Sequence, residues 1–265
     1  MLPVRIIPCL DVRDGRVVKG VRFRGLEDQG DPAALALAYE EQGADEVVVL
    51  DVTATPEGRG TRLDTVAAVR ARLSVPVTVG GGIGEIGDAA ALLEAGADKV
   101  AVNTAALRRP ALLTDLAARF GSQCVVVSLD ALARREDRPG VDSGYEVVVL
   151  SGTKPVARDA VAWAREAVER GAGEILLTSI DRDGTRSGYE LTLLRAVRSA
   201  VCVPIVASGG ADSPQHMADA VRAGADAVLA ASIFHQGNWT VEEVKGALAA
   251  LGVSVRPGYS EARTP

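Results

Sequence analysis

The sequence has few of the residues on which nucleic-acid binding depends. Aromatic residues make up 3% of its 265 positions, and the net charge is −6. The lysines and arginines are spread along the chain without a basic block. Because such binding needs phosphate neutralisation and often base stacking, we expect no nucleic-acid partner. A small anionic substrate is still compatible with this composition, since the amides of glycine loops bind anions locally.

Cysteine and histidine are also scarce. The three cysteines (Cys9, Cys124 and Cys202) are far apart, lie in or beside apolar runs and show no CxxC spacing. This pattern argues against a disulfide framework or a zinc site and predicts three buried thiols. The two histidines, His216 and His235, fit neither a Ser-His-Asp order nor a metal-ligand cluster. We therefore expect no metal and no cofactor.

Long apolar runs are missing as well. No run approaches the roughly 18–20 residues that a membrane-spanning helix needs, so we expect no membrane association. The first residues contain Asp11 and lack the apolar core of a signal peptide, which favours the cytoplasm. A hydrophobic content of 48% is enough for a large core.

Short apolar runs alternate with longer helical patterns along nearly the whole chain. The predicted strands are Arg5–Leu10, Glu46–Asp51, Val75–Val79, Lys99–Val102, Cys124–Leu129, Glu174–Thr178, Pro204–Ala207 and Ala227–Ala230. The predicted helices are Pro32–Gln42, Leu63–Leu73, Glu85–Glu94, Pro110–Arg119, Asp159–Arg170, Leu191–Ser199, Pro214–Ala223 and Val241–Ala250. Continuously apolar strands are typical of parallel sheets covered on both faces. Eight such units predict an α/β fold, either a closed (β/α)8 TIM barrel or an open doubly wound sheet.

An internal repeat favours the barrel. Glu46 and Glu174, Gly81 and Gly209, and Thr104 and Ser232 form three pairs, each separated by 128 positions. Two four-strand halves with matching ends predict a TIM barrel built from two similar half-barrels. We expect one domain over residues 1–255 with a β-hairpin inserted at about residues 133–154, and a frayed tail over residues 256–265.

Two aspartates end equivalent strands of the two predicted halves. Asp11 follows the first strand and Asp130 follows the fifth. In a barrel both would face the active-site mouth, where two carboxylates in different surroundings suit general acid–base catalysis. The alternative is that each aspartate only caps a turn.

Small and polar residues end several other strands and predict two phosphate sites. One cluster joins Gly81 and Gly82 to Asn103 and Thr104, and the other joins Gly209 and Gly210 to Ala231 and Ser232. Glycine-turn amides bind phosphate oxygens, so two symmetric clusters predict a long bis-phosphate lying across the mouth. A lone glycine cluster is more often only a turn. Further predicted substrate contacts are Thr178, Asp183 and Gly184 after the sixth strand and Lys19 on the loop after the first.

Four charged residues begin strands and would meet at the opposite, N-terminal end of the barrel. They are Arg5, Glu46, Lys99 and Glu174. Their alternating signs predict either a stabilising ion network or a polar constriction leading into the barrel.

Several stretches together resemble one family over about residues 1–256, in collinear order. The stretches are RIIPCLDVRDGRVVKG, TVGGGI, ADKVAVNTAA, FGSQCVVVSLDA, GAGEILLTSIDRDGTRSGY and SGGA followed by GADAVLAASIFH. They closely resemble the cyclase subunit of imidazole glycerol phosphate synthase, from histidine biosynthesis. The resemblance implies a TIM barrel enzyme, a carbon–nitrogen lyase. It uses ammonia to convert the bis-phosphate PRFAR into imidazole glycerol phosphate and AICAR.

The resemblance also implies roles for individual residues. Asp11 and Asp130 would be the catalytic acid and base. The phosphate-binding positions would be Gly82, Asn103, Thr104, Asp183, Gly184, Gly209, Gly210, Ala231 and Ser232. A separate glutaminase subunit would dock on the N-terminal face, near Asp98, and supply ammonia through the barrel. The ammonia gate would be Arg5, Glu46, Lys99 and Glu174.

The sequence departs from the family pattern at two places, Val156–Ala157 and the unusually charged turn Ala133–Asp142, and two other functions compete with the cyclase. The family pattern leads us to expect Thr-Gly where Val156 and Ala157 stand, which puts loop details near the sixth strand in doubt. One alternative is the ProFAR isomerase of the same pathway, which shares the half-barrel scaffold and the paired aspartates. The other is a non-catalytic phosphate-binding scaffold. The segment around Asp11, the stretch SIDRDGT and the four charges favour the cyclase, and the presence of both aspartates argues against the scaffold.

Overall fold

The computed structural model describes residues 2–21, 24–134 and 139–257, with the side chains of residues 19–26 outside that description. Elements of the first half are, in chain order, β1 (Arg5–Arg13), β2 (Arg16–Val21), β3 (Arg24–Gly30), α1 (Pro32–Glu41), β4 (Val47–Asp51), α2 (Ala54–Glu57), α3 (Leu63–Arg70), β5 (Val77–Gly80), α4 (Ile86–Glu94), β6 (Lys99–Val102), α5 (Thr104–Arg108) and α6 (Ala111–Phe120). After a 3-10 turn at Ser122–Cys124 follow β7 (Val125–Ala133), β8 (Tyr145–Val149), β9 (Lys154–Asp159), α7 (Ala160–Glu169), β10 (Glu174–Ser179), α8 (Leu191–Ala200), β11 (Ile205–Ser208), α9 (Pro214–Arg222), β12 (Ala227–Ala230), α10 (Ser232–His235) and α11 (Val241–Ala250).

Eight parallel strands close into a barrel. The hydrogen-bonded order is β1, β4, β5, β6, β7, β10, β11 and β12, and β12 returns to β1. The seams between the two halves are continuous, because Val100 of β6 lies opposite Val125 of β7 and Ile6 of β1 lies opposite Val228 of β12. Closure rules out the open doubly wound sheet and confirms the (β/α)8 barrel.

The barrel strands are apolar throughout because each strand contributes side chains to two hydrophobic cores. Alternate side chains pack outward against the helices, and those of Ile7, Val48, Ala101, Val126 and Leu176 form a separate cluster inside the barrel. Both faces of each strand are therefore buried, which is why no polar–apolar alternation marks these strands in the sequence. Of the described helices, none is both long and apolar enough to cross a membrane.

Several helices begin where the sequence supplies a side-chain cap. Asp31 accepts a hydrogen bond from the Ala34 amide at 2.8 Å, with Pro32 in the first turn of α1. Thr240 and Glu243 form a capping box at the start of α11. Such caps satisfy amides that would otherwise have no intrahelical partner, and they fix the helix starts that the sequence predicts.

The repeated Ala-Gly-Ala-Asp segment builds the same clamp in each half. Asp98 accepts hydrogen bonds from the Val77 amide (2.8 Å) and from Arg70 (3.2 Å). The equivalent Asp226 accepts from the Ile205 amide and from Arg198, both at 2.9 Å. A Cβ at Gly96 or Gly224 would collide with the aliphatic part of the arginine, and both glycines have φ near +110° (109° and 110°). The repeat is thus explained by a helix–strand junction that only glycine permits.

Two insertions stand outside the eight β-α units. Strands β2 and β3 form an antiparallel hairpin after β1 that the sequence analysis missed, since both strands are rich in charged residues. After β7 the chain adds β8 and then β9, both antiparallel. The turn between β8 and β9 includes Leu150 and Ser151, which have φ values of 53° and 52°. Most of the expected tail, residues 258–265, lies outside the described residues.

The prediction of three buried thiols is right only for Cys9, on β1. Cys124 is half-buried and Cys202 is exposed, and none of the three is in a disulfide. The apolar run around Cys202 begins before β11 does, so this side chain lies in the exposed connection ahead of the strand.

Replacing Ala157 by Gly is expected to stabilise the fold. Ala157 has φ of 50°, in the left-handed region, where β9 loses register against β8. Holding a residue other than glycine in that region costs about 1–2 kcal/mol of folding free energy. Glycine avoids this cost, but its greater conformational freedom in the unfolded chain lowers stability by about 0.4–1 kcal/mol. Denaturant unfolding should show a net gain of about 0.5–1 kcal/mol for Ala157→Gly. Ala67→Gly, on the exposed face of α3, is the control and should lose a similar amount. Equal losses of unfolding free energy for the two variants would show that the left-handed backbone at Ala157 is not strained.

Candidate active site

One large cavity opens at the carboxyl ends of the barrel strands. Its volume is about 620 Å³. It is bordered by all but one of the predicted catalytic and substrate-binding residues: Asp11, Gly82, Asn103, Thr104, Asp130, Thr178, Asp183, Gly184, Gly209, Gly210, Ala231 and Ser232. The exception is Lys19, whose backbone lies in β2 and whose side chain is outside the described residues. Residues that are far apart in the sequence are therefore brought together by the barrel.

The two predicted catalytic carboxylates are both buried in this cavity. Asp11 lies on the inward-facing side of β1, two residues after Cys9, and is 5% exposed, and Asp130 lies on the inward-facing side of β7 and is 8% exposed. The thiol of Cys9 lies 3.7 Å from Oδ1 of Asp11. The side-chain amide of Asn103 donates to Oδ2 of Asp130 at 2.9 Å.

Burial raises the pKa of Asp130 to about 7, and the nearby negative charge of Asp183 adds to the effect. Hydrogen bonds from Thr178 and Asn103 favour the carboxylate and lower the pKa, and the negative charge of Asp11 raises it again by a smaller amount. A carboxyl group that titrates near neutral pH can exchange a proton under ordinary conditions, as a general acid or base requires. This environment sets Asp130 apart from an aspartate that merely caps a turn.

The first edge of the cavity, which we define as Gly81, Gly82, Asn103 and Thr104, lies between β5 and α5. The Gly82 amide donates to the Thr55 hydroxyl at 3.0 Å, and the Thr104 hydroxyl accepts from the Leu150 amide at 3.1 Å. The β8–β9 turn therefore reaches the mouth of the barrel. Because the Leu150 amide occupies an acceptor site of the Thr104 oxygen, the hydroxyl proton is left to be donated elsewhere.

The second edge, which we define as Gly209, Gly210, Ala231 and Ser232, lies between β11 and α10. A Cβ at Gly209 would collide with the Ser179 carbonyl, just as one at Gly81 would collide with the Asp51 carbonyl. The two glycine turns are thus held equally close to the preceding strand in both halves. The buried Asp183 borders the cavity beside this edge.

The sequence analysis missed an ion pair at the rim of the cavity. Arg59 binds the two carboxylate oxygens of Asp51 at 2.7 and 3.1 Å and donates to the Thr53 hydroxyl at 2.7 Å. These contacts raise the pKa of Arg59, mainly through the hydrogen bond to Asp51. The position of Asp51 at a strand end was visible in the sequence, but nothing in the loop that carries Arg59 marks it as its partner.

The four predicted gate residues form a closed ring at the other end of the barrel. Arg5 binds Glu46 (2.7 Å) and Glu174, and Lys99 binds Glu46 (3.0 Å) and Glu174 (2.7 Å). The Thr78 hydroxyl also donates to Glu46. Burial opposes the ionisation of Glu174, but the charges of Arg5 and Lys99 outweigh it and lower its pKa. The ring is therefore a fully paired ion network, and the apolar inner cluster separates it from the cavity.

Of the described residues that border the cavity, none is a histidine. The ring of His235 shares a hydrogen bond of 2.5 Å with the Tyr39 hydroxyl. Within residues 2–21, 24–134 and 139–257, no cluster of His, Cys, Asp and Glu side chains has an arrangement that would hold a metal ion.

Comparison with known proteins agrees with this architecture. A family model described as "Histidine biosynthesis protein" matches residues 5–240. Two proteins of Mycobacterium tuberculosis, from strains H37Ra and CDC 1551, are each 54% identical over 255 residues and are named "Imidazole glycerol phosphate synthase subunit HisF". A protein of Mycobacterium bovis BCG with the same name is also 54% identical, and the match covers 96% of both chains in all three cases. The chain belongs to the HisF family of imidazole glycerol phosphate synthase subunits, within the histidine biosynthesis proteins.

Proposed function

We propose that this chain converts PRFAR and ammonia into imidazole glycerol phosphate and AICAR, using Asp11 and Asp130 for acid–base catalysis. The observation that carries the proposal is the placement of two buried carboxylates in one cavity between two matching edges. The 54% identity to proteins named as HisF supports the cyclase reaction in particular. The rest of the proposal concerns how this chain performs it.

Acid–base chemistry needs groups that hold and release protons at the reacting atoms. The raised pKa of Asp130, about 7, supports its role as the group that exchanges a proton near neutral pH. Asp11 reaches the same cavity from the other half-barrel, so a substrate between the halves would meet both carboxylates. Ammonia would attack the substrate, the imidazole ring would close with release of one water, and the carbon–nitrogen bond to the carboxamide ribotide would break so that AICAR leaves.

The two phosphates of the substrate would be held at the two edges. The first edge offers the Thr104 hydroxyl and the second N–H of the Asn103 side-chain amide, and its Gly82 amide would exchange the Thr55 hydroxyl for a phosphate oxygen. The second offers the Gly209 and Gly210 turn together with Ser232, and Asp183 and Gly184 close the side next to it. Two equivalent anion sites on opposite sides of one mouth suit a long bis-phosphate whose middle lies over the aspartates.

Ammonia would enter from the charged ring, and its source would be a glutaminase subunit on the N-terminal face. The inner cluster between ring and cavity is apolar, which suits neutral ammonia better than ammonium. Since the ring is closed by four ion pairs, passage would require at least one of them to open. We place the reaction in the cytoplasm, together with the rest of the pathway.

The test is turnover of the purified chain with PRFAR and an ammonium salt, in the absence of any partner. AICAR formation supports the cyclase, and addition of glutamine without ammonium should then give none. A folded protein that makes no AICAR would overturn the proposal. Its activity on ProFAR would then be measured to test the isomerase.

Asp98→Ala and Asp226→Ala are expected to cost the same stability but to differ in partner binding. Each carboxylate caps a strand and holds an arginine, so each loss should lower the unfolding free energy by about 1–2 kcal/mol. Only Asp98 is proposed to touch the glutaminase subunit, so only Asp98→Ala should also weaken that complex. Denaturant unfolding and titration of the two subunits measure the two effects. Equal weakening of the complex by both variants would remove Asp98 from the proposed docking face.

A further inference from the structure

Four arginines border the cavity, and they differ in whether their charge is already paired. Three of them bind a carboxylate: Arg59 binds Asp51 at 2.7 Å, Arg109 binds Asp115 at 2.9 Å, and Arg186 lies 3.6 Å from Asp212. The fourth, Arg108, is exposed, and in the described part of the chain its side chain has no ion pair and no hydrogen bond. Arg108 therefore brings an uncompensated positive charge to the rim of the cavity.

The short helix α5 places this charge next to the first edge. Thr104 begins the helix and Arg108 ends it, four residues later. Residues four apart lie on the same face of a helix, about 6 Å along its axis. Both residues also border the cavity. A phosphate held at Thr104 would thus lie within reach of the flexible Arg108 side chain.

The second edge has no matching cation at this position. The residue 128 positions after Arg108 is Gln236, which follows α10 and carries no charge. Of the four arginines that border the cavity, Arg186 is the one that contacts the loop of this edge, and its charge is already paired with Asp212 at 3.6 Å. The two edges are alike in backbone and hydroxyl groups but unlike in charge.

We propose that Arg108 is a phosphate-binding residue of the first edge and that it gives this edge the higher affinity for its phosphate. The proposal rests on the proposed cyclase function, because it concerns the same bis-phosphate substrate. A guanidinium forms paired, charge-assisted hydrogen bonds with phosphate oxygens. The substrate would then be held more tightly at one end, which distinguishes its two phosphates in an otherwise symmetric cavity.

The experiment compares Arg108→Gln with Arg109→Gln in steady-state turnover of PRFAR with ammonium. The two variants lose the same charge at adjacent positions, but the Arg109 guanidinium is already bound to Asp115. Arg108→Gln should raise KM about three- to tenfold with little change in kcat, because the contact is made in the ground state and transition state alike. Arg108→Lys should bring KM part of the way back to the wild-type value. Added salt should reduce the difference in KM between Arg108→Gln and wild type. Equal KM values for the two glutamine variants would overturn the proposal.

Product inhibition shows whether the effect belongs to one phosphate. Imidazole glycerol phosphate and AICAR each retain one of the two phosphates of PRFAR. Arg108→Gln should weaken inhibition by one product about three- to tenfold and leave the other unchanged. Weaker inhibition by both products, or unchanged inhibition by both, would contradict a contact that is specific to one edge. Absence of wild-type turnover would instead overturn the cyclase function, so the two failures are distinguishable.

Discussion

Asp130→Asn is expected to abolish cyclisation and to stabilise the folded protein at pH 8. The substitution keeps the size of the side chain and an oxygen that can accept from Asn103. It removes the proton exchange, for which a loss in kcat of about 10²–10⁴ is typical. Asp11→Asn should cause a loss of the same order, since the two carboxylates serve one reaction. Turnover of PRFAR with ammonium measures both.

The gain in stability follows from the sign of the pKa shift. Burial and the charge of Asp183 raise the pKa of Asp130 to about 7, above the value of about 3.9 for an unfolded aspartate. Between these values the folded state holds a proton that the unfolded state has lost, so stability falls as pH rises. Above pH 7 the folded protein bears the full cost of holding a buried, ionised Asp130, and an asparagine does not incur this cost. We expect about 2–4 kcal/mol more unfolding free energy for the variant at pH 8, and little difference at pH 4.

Asp64 provides a matched control, because its pKa is shifted in the opposite direction. Hydrogen bonds from Arg62 lower the pKa of the exposed Asp64 to about 2, so this carboxylate helps stability above its unfolded pKa and loses that effect as pH falls. Asp64→Asn should therefore bring no gain at pH 8. Urea unfolding of the three proteins at pH 4, 6 and 8 measures the curves. If Asp130→Asn is no more stable than wild type at pH 8, Asp130 is not the destabilised, proton-exchanging group proposed here.

The parts of the fold predicted from sequence are those with a local physical cause. Continuously apolar strands, capped helices and the Ala-Gly-Ala-Asp clamp each repeat over a few residues, so the barrel was visible without coordinates. The β2–β3 hairpin and β9 were not, because neither carries the apolar run that marks a buried strand.

The same distinction holds for the candidate site. Asp11 and Asp130 end strands, and their positions in the two halves predicted a shared mouth. Thr55 and Leu150 also reach the first edge, but only through tertiary contacts that no spacing encodes. Arg108 illustrates the remaining limit. Arg108 and Arg109 are adjacent in the sequence, which does not show whether either guanidinium is paired. In the structure Arg109 binds Asp115, and Arg108 has no ion pair among the described residues.

Arg5→Met is expected to destabilise the barrel strongly at neutral pH. The substitution leaves Glu46 and Glu174 buried with Lys99 as the one remaining cation of the ring. Removing one partner of a buried ion pair costs about 3–5 kcal/mol, and the partial exposure of Arg5, 19%, reduces this to about 2–4 kcal/mol. Arg62→Met, which breaks an exposed pair with Asp64, should change the unfolding free energy far less, because water screens that pair.

The pH dependence and a second substitution identify the cause of that loss. Arg5 and Lys99 together lower the pKa of Glu174, so the ring contributes stability above the unfolded pKa of about 4.3, and this stability is lost as pH falls through the folded value. The gap between wild type and Arg5→Met should therefore narrow toward pH 4. Adding Glu174→Gln to Arg5→Met should restore part of the stability at pH 7, because Lys99 then has only the Glu46 carboxylate to neutralise. A double variant as unstable as the sum of its single substitutions would show that Arg5 acts by packing its methylene groups and that the charges of the ring are not coupled.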